Sequence, residues 1–185
     1  MITGANRGIG KAVAVELAAD QPHFILVQRK KDPELEKDLL EKGARTVTFF
    51  ECDLEKPESI QKLLDEVKDL PIDFLFNNAG QLTGGLLENQ PAKDIQRMLQ
   101  VNVNALIQLT HGLLPGMLSR KRGKIINHGS VSSLMYFPCA STYSAAKAAV
   151  YAFTKCLEVE LKGSGVSTLV LITPGIDTEM FRDIP

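Results

Sequence analysis

Five runs rich in β-forming residues, at 24–27, 46–50, 73–77, 124–127 and 168–172, alternate with helical patterns at 9–19, 33–42, 57–69, 92–118 and 142–162. The β runs are continuously apolar rather than alternating, the pattern of strands covered on both faces, which predicts a parallel sheet between helical layers. Right-handed crossovers then wind the helices onto both faces, so the fold class is α/β, a three-layer doubly wound parallel sheet. The helical pattern at 92–118 carries a break. No internal repeat or linker interrupts the 185 residues, which read as one domain over 1–185. Ligands of such sheets bind beyond the carboxyl ends of the strands, where the glycine-rich turn near the start, Asn77-Asn78, Ser130 and Pro174-Gly175 all fall.

That turn reads Thr3-Gly4-Ala5-Asn6-Arg7-Gly8-Ile9-Gly10 and leads directly into the apolar helical positions Val13, Ala14, Leu17 and Ala18. Glycines let a backbone turn tightly and approach a pyrophosphate, and the free N–H groups of the following helix bind the anion, so the segment reads as a dinucleotide cradle. Its G-x-x-x-G-x-G spacing also suits a tight strand-to-helix turn without ligand.

Tyr143 and Lys147 stand four apart in an Ala-rich stretch, which puts phenol and ammonium on one helix face. A free tyrosine titrates near ~10, so tuning it to about 7 takes about 4 kcal/mol of differential stabilisation, within reach of a buried cation plus hydrogen bonds. The expectation is a proton donor for neutral pH, with its phenolate stabilised by Lys147.

Composition excludes several classes. A net charge of −1 carries no basic signature for nucleic acid, and no apolar run reaches membrane-spanning length. With the glycine-rich turn starting at Thr3, no signal peptide is expected within this sequence. Cys52, Cys139 and Cys156 are dispersed without a C-x-x-C, which argues against a disulfide framework or a metal site and for a reducing, cytoplasmic setting.

Taken together, Gly4, Gly8 and Gly10, the run Asn77-Asn78-Ala79-Gly80, Asn102, Ser130, Tyr143 and Lys147 resemble the short-chain dehydrogenase/reductase family in order and spacing, including the thirteen-residue interval from Ser130 to Tyr143. The resemblance spans nearly the whole chain. It implies a Rossmann-like fold and nicotinamide-dependent interconversion of a carbonyl and an alcohol. It also implies that Tyr143 exchanges a proton with the substrate oxygen, Ser130 hydrogen-bonds that oxygen, Lys147 holds the nicotinamide ribose, and Asn102 anchors a water behind the lysine. Asn102 reads alternatively as a helix-bend side chain bonding its own backbone, and Ser130 as a strand-end cap, though the spacing to Tyr143 speaks against the cap.

By the same resemblance Asn6, Arg7 and Ile9 belong to the phosphate-facing turn, and Asp53 and Leu54 contact adenine. Asn78, Ala79 and Gly80 form a backbone wall by the adenine ribose, with Pro174, Gly175 and Thr178 near the nicotinamide. Asp53 also reads as a turn aspartate. The long helices around 102–118 and 142–162 resemble the pair that packs family homodimers and homotetramers.

An acidic residue after the second strand would hold the ribose hydroxyls of NAD and repel the extra phosphate of NADP. Here the strand ends in Gln28-Arg29-Lys30-Lys31, so Arg29 is expected to fork onto a phosphate, with Lys30 or Lys31 and Arg7 adding charge. NADP(H) is therefore expected over NAD(H). The same cations read alternatively as a solvated cluster.

Leu134, Met135, Tyr136, Phe137, Pro138 and Cys139, extended by Met180 and Phe181, are candidates for an apolar pocket wall, which suggests a hydrophobic ketone, aldehyde or alcohol. An acyl-carrier-protein ketoreductase and a non-catalytic nucleotide-binding protein are the alternatives. A hydrolase reading with Ser130 as nucleophile and His128 as base is set aside because the two are expected on opposite strand faces and no G-x-S-x-G elbow surrounds the serine. His23 and His111 read as ordinary strand-edge and helix histidines.

The ends depart from the family pattern. Only Met1 and Ile2 precede the turn, Pro174 to Thr178 is one residue short, and the family continues beyond the equivalent of Pro185. The chain thus reads as truncated at both ends, with a clipped middle strand that is expected to leave backbone groups unpaired.

Overall fold

The computed structural model describes residues 1–175. Six strands form one all-parallel sheet: β1 (Ile2–Thr3), β2 (His23–Gln28), β3 (Thr46–Glu51), β4 (Phe74–Asn77), β5 (Gly123–His128) and β6 (Val166–Leu171). Their order is β3-β2-β1-β4-β5-β6, so the winding direction reverses between β1 and β4. Side chains and ligands gather at such a switch point because the loops leaving the two strands diverge to opposite faces.

Helices α1 (Gly8–Leu17) and α2 (Pro33–Glu41) cover one face through Ala14, Ala18, Leu35 and Leu39. On the other face lie α3 (Pro57–Val67), α5 (Ala105–Ser119) and α6 (Ser141–Glu160), which bury Leu63, Leu109, Leu113 and Leu157. Pro33 opens α2 behind an Asp32 cap that accepts from the Leu35 N–H at 3.0 Å, and Pro57 opens α3, both placements that suit the fixed proline φ.

Two features differ from the sequence expectation. The clipped middle strand leaves fewer backbone groups unpaired than expected: Ile2 lies opposite both Leu26 and Phe76, the Met1 carbonyl accepts the Phe76 N–H at 2.8 Å, and the Gly4 N–H reaches Val27 O at 2.9 Å. Two residues plus their flanking peptide groups thus continue the ladder to both neighbours. The break inside 92–118 is a π-helical turn, Gln100–Asn104, joining α4 (Ala92–Leu99) to α5. Wider turns of this kind change which side chains face inward, and Asn102 is buried here, 2% exposed.

A chain of polar side chains crosses the layer between sheet and helices. Asn77 Nδ2 donates to Thr110 Oγ1 at 3.2 Å and to Asn127 Oδ1 at 2.9 Å, and Asn127 Nδ2 donates to Thr154 Oγ1 at 2.9 Å. Thr154 passes its own hydroxyl proton to Val150 O at 2.7 Å. Asn127→Leu takes one bond from each of two buried partners, which keep Thr110 and the Val150 carbonyl respectively, so it is expected to cost about 1–3 kcal/mol, measured as a lower urea midpoint at unchanged m-value. A midpoint equal to that of the unaltered chain would show the network to be dispensable.

Candidate active site

One cleft of about 670 Å³ runs along the carboxyl ends of the strands, within the size range of cofactor sites. At one end it is lined by Gly4, Asn6, Arg7, Gly8 and Ile9, and at the other by Ser130, Tyr143 and Lys147. Gly4 and Gly8 adopt φ of +67° and +55°, left-handed values that a Cβ makes costly. Arg7 precedes α1 in extended conformation, and its side chain makes no cap bond to the helix.

Asn78 fastens this turn to the next strand. Its Nδ2 donates to Thr3 O and Gly4 O, each at 3.1 Å, while Thr3 Oγ1 accepts the backbone N–H groups of Asn78 and Ala79 at 3.0 Å. Ala79 and Gly80 then continue along the cleft wall.

Tyr143 and Lys147 lie one turn apart on α6, as the i, i+4 spacing requires. Lys147 is 5% exposed; its Nζ donates to the His128 carbonyl at 2.7 Å and sits 5.7 Å from the Tyr143 ring centroid. Burial lowers the lysine to about 8. Burial also raises Tyr143, and a hydrogen bond with the Ser130 hydroxyl pulls the other way. This corrects the expectation of a phenol lowered by its lysine: desolvation of the phenolate outweighs the hydrogen bond with Ser130.

Ser130 is buried. Its hydroxyl accepts the Ser132 N–H at 3.1 Å, capping the short turn Val131–Ser133, and also meets Tyr143. Asn102 bonds not its own helix but the backbone of Gln81 in both directions, at 2.7 Å each. A Cβ on Gly80 would stand 3.1 Å from Asn102 Oδ1 and 3.9 Å from Lys147 Nζ, so Asn102 and Lys147 border the same glycine.

At the far end Arg29, Lys30, Asp53 and Leu54 line the cleft. Lys31 pairs with Glu36 at 3.1 Å and belongs to α2 instead. Asp53 does serve its turn, accepting the Glu55 N–H at 3.2 Å with Lys56 at 3.6 Å. Pro174 lines the cleft; Gly175 is described but lies off it, and Thr178, Met180 and Phe181 lie outside the described residues. Residues 134–139 are exposed, Tyr136 at 96%, and form no closed pocket among the described residues.

Gln81, Glu55 and Thr173 also line the cleft, and sequence reasoning missed them; His128, weighed there only as a hydrolase base, lines it too. Position just past a strand end was the available signal. His128 and Ser130 share this cleft, so the opposite-face argument against the hydrolase pair fails: the two are separated by Gly129, and strand side chains repeat every second residue. What separates them chemically is that both His128 nitrogens are engaged elsewhere, by Asn78 at 3.2 Å and Thr173 at 2.9 Å.

The sequence model of the short chain dehydrogenase family matches residues 1–185. The chain belongs to this family. The chain is 34% identical over 185 residues to a fatty acyl-CoA reductase of Acinetobacter baylyi, covering 97% of the chain and 63% of that protein. It is 33% identical over 187 residues to human 17-beta-hydroxysteroid dehydrogenase type 3, covering 98% of the chain and 60% of that protein. The chain therefore spans 60% to 63% of the length of these relatives. Among solved structures, a short-chain dehydrogenase from Sphingobium yanoikuyae in complex with NADPH superposes with a TM-score of 0.93 at 30% identity, over 98% of this chain and 72% of that one. The Rossmann-like fold of this chain is thus shared with that structure, and no helix among its described residues is long and apolar enough to cross a membrane.

Proposed function

We propose that this short-chain dehydrogenase, within its full-length protein, is an NADP(H)-dependent oxidoreductase that reduces an apolar ketone or aldehyde to the alcohol. The observation that carries the reading is the convergence of Ser130, Tyr143 and Lys147 at one end of a cleft whose other end is the glycine-rich turn. Gly4, Gly8 and the first N–H groups of α1 suit a pyrophosphate, and Asp53 and Leu54 suit the adenine. Asn78, Ala79 and Gly80 line the ribose, with Pro174 towards the nicotinamide. The reduced nicotinamide, when bound, supplies a hydride. Tyr143, held protonated by its burial, gives its phenolic proton to the carbonyl oxygen. Ser130 donates a hydrogen bond to that oxygen as charge develops on it. Lys147 keeps a positive charge beside the phenol, and Asn102 holds Gln81 and the wall next to it.

Arg29 and Lys30 on the cleft, with no carboxylate at the end of β2, support the phosphorylated cofactor. Arg29→Asp is expected to weaken NADPH binding about tenfold or more while leaving NADH within about twofold, by fluorescence titration. Equal losses for both would remove the preference. The exposed apolar residues 134–137 beside Ser130, and relatives named for fatty acyl and steroid substrates, support a hydrophobic carbonyl. The apolar outer face of α6, with Ala148, Ala152 and Val159 exposed, suits a second copy of the chain in a homodimer or homotetramer.

Following NADPH absorbance across a panel of apolar ketones and aldehydes with full-length protein tests the assignment; binding without turnover of any of them would favour a nucleotide-binding role. The pH profile tests the lysine. Lys147 keeps its proton below about 8, so reductive kcat is expected to fall as pH rises through that value. A rate that stays flat well above it would separate the lysine charge from the proton transfer.

A further inference from the structure

His128 is a half-buried titratable side chain of this cleft that the proton transfer leaves unused. It ends β5, with its ring 6.2 Å from that of Phe76, Nδ1 3.2 Å from Asn78 Oδ1 and Nε2 2.9 Å from Thr173 Oγ1. Asn78 decides where the imidazole proton sits. Its other amide atom contacts two carbonyl oxygens, Thr3 O and Gly4 O at 3.1 Å, and carbonyls only accept, so that atom is the donating Nδ2 and the atom facing His128 is the oxygen. Nδ1 therefore carries the proton. Nε2 is left as an acceptor and takes the hydroxyl proton of Thr173.

One directed chain results: Thr173 O–H to His128 Nε2, His128 Nδ1–H to Asn78 Oδ1, and Asn78 Nδ2–H to the carbonyls of Thr3 and Gly4. It ties the segment after β6 to the glycine-rich turn across the switch point. The carbonyl of the same histidine receives Lys147 Nζ at 2.7 Å.

We propose that His128 is a positioning residue, a neutral Nδ1–H imidazole that aims the Asn78 amide at the glycine-rich turn and so keeps the pyrophosphate end of the cleft in register with Lys147. The proposal rests on the dinucleotide reading of the cleft. A protonated ring would offer two donors, reverse the Thr173 bond and set a second cation beside Lys147. Of the groups around the ring, Lys147 from α6 is charged, while Asn78, Thr173 and Phe76 are neutral. Burial and then Lys147 hold the ring near 4, which keeps it neutral through the physiological range.

Two isosteres separate the nitrogens. In His128→Asn the amide nitrogen takes the place of Nδ1 and keeps the donor to Asn78; in His128→Leu both bonds are lost. The NADPH dissociation constant, by fluorescence titration, is expected to rise about tenfold or more in H128L and less than about threefold in H128N. Equal losses in the two variants overturn the proposal. Nitrogen NMR of the unsubstituted protein with labelled histidine supplies a readout independent of binding and of how the variants fold. The Nδ1–H tautomer, unchanged from about pH 8 to about pH 5, is expected, and the Nε2–H tautomer or a midpoint near the ordinary ~6.5 overturns it. Failure of the unsubstituted protein to bind any nicotinamide dinucleotide would instead sink the functional reading, and leaves the tautomer to be judged by its own spectrum.

Discussion

Tyr143→Phe is expected to lose at least about two orders of magnitude of carbonyl reduction while NADPH affinity stays within about twofold. The substitution removes one oxygen and keeps the ring, so the packing at the start of α6 survives. Ser130 still has its second partner, the Ser132 N–H at 3.1 Å, so its side chain is not cut loose. What disappears is the group that delivers the proton. Because burial holds the phenol protonated, water entering the same space is the remaining donor, and it is less acidic and unpositioned. Single-turnover kcat together with a titrated dissociation constant for NADPH checks both halves of the expectation. Turnover within tenfold of the unsubstituted protein would take the proton transfer away from Tyr143.

Gly10→Ala is expected to cut dinucleotide affinity about 100-fold or more and to cost about 1–3 kcal/mol of stability by overpacking. A Cβ there would lie 2.4 Å from both Asn78 Nδ2 and Gly4 O, the two atoms that bond each other at 3.1 Å. The methyl group would wedge open the contact that fastens the turn to the wall at 78–80. Intrinsic propensity acts in the opposite direction, since Ala inside a helix is favoured over Gly by about 1 kcal/mol. A loss would therefore report the contact and not the helix. Titration calorimetry with NADPH, beside a urea melt, separates the two effects; unchanged affinity would mean that the turn yields to the methyl group at no cost to its ligand.

The strand and helix pattern was legible because it is written in local periodicity. All five expected β runs became strands, and the expected helices appeared within a few residues of their predicted ends. The break at 92–118 was visible, but its nature as a π turn at Gln100–Asn104 was not, since hydrophobic spacing does not register one extra residue in a turn. β1 was expected as a clipped middle strand, but two residues carry no period that could show its pairings with Leu26 and Phe76. Lys31 was grouped with Arg29 and Lys30 by adjacency, yet its geometry gives it to Glu36. The tyrosine went the other way from expectation because sequence shows a lysine four residues on but not how far burial desolvates the phenol.

By itself the sequence determined the doubly wound sheet, the glycine-rich turn at the start of α1, and the placing of phenol and ammonium on one helix face, because periodicity, glycine placement and i, i+4 spacing act within a few residues. The tertiary structure alone decided that Asn78 meets Gly4 across 74 positions, that His128 meets Asn78 across 50 and Thr173 across 45, and that Lys147 meets the His128 carbonyl across 19. Those pairings follow from a strand order that sets β1, β4, β5 and β6 side by side, and from burial, which makes each polar group find whichever partner the neighbouring strand end presents.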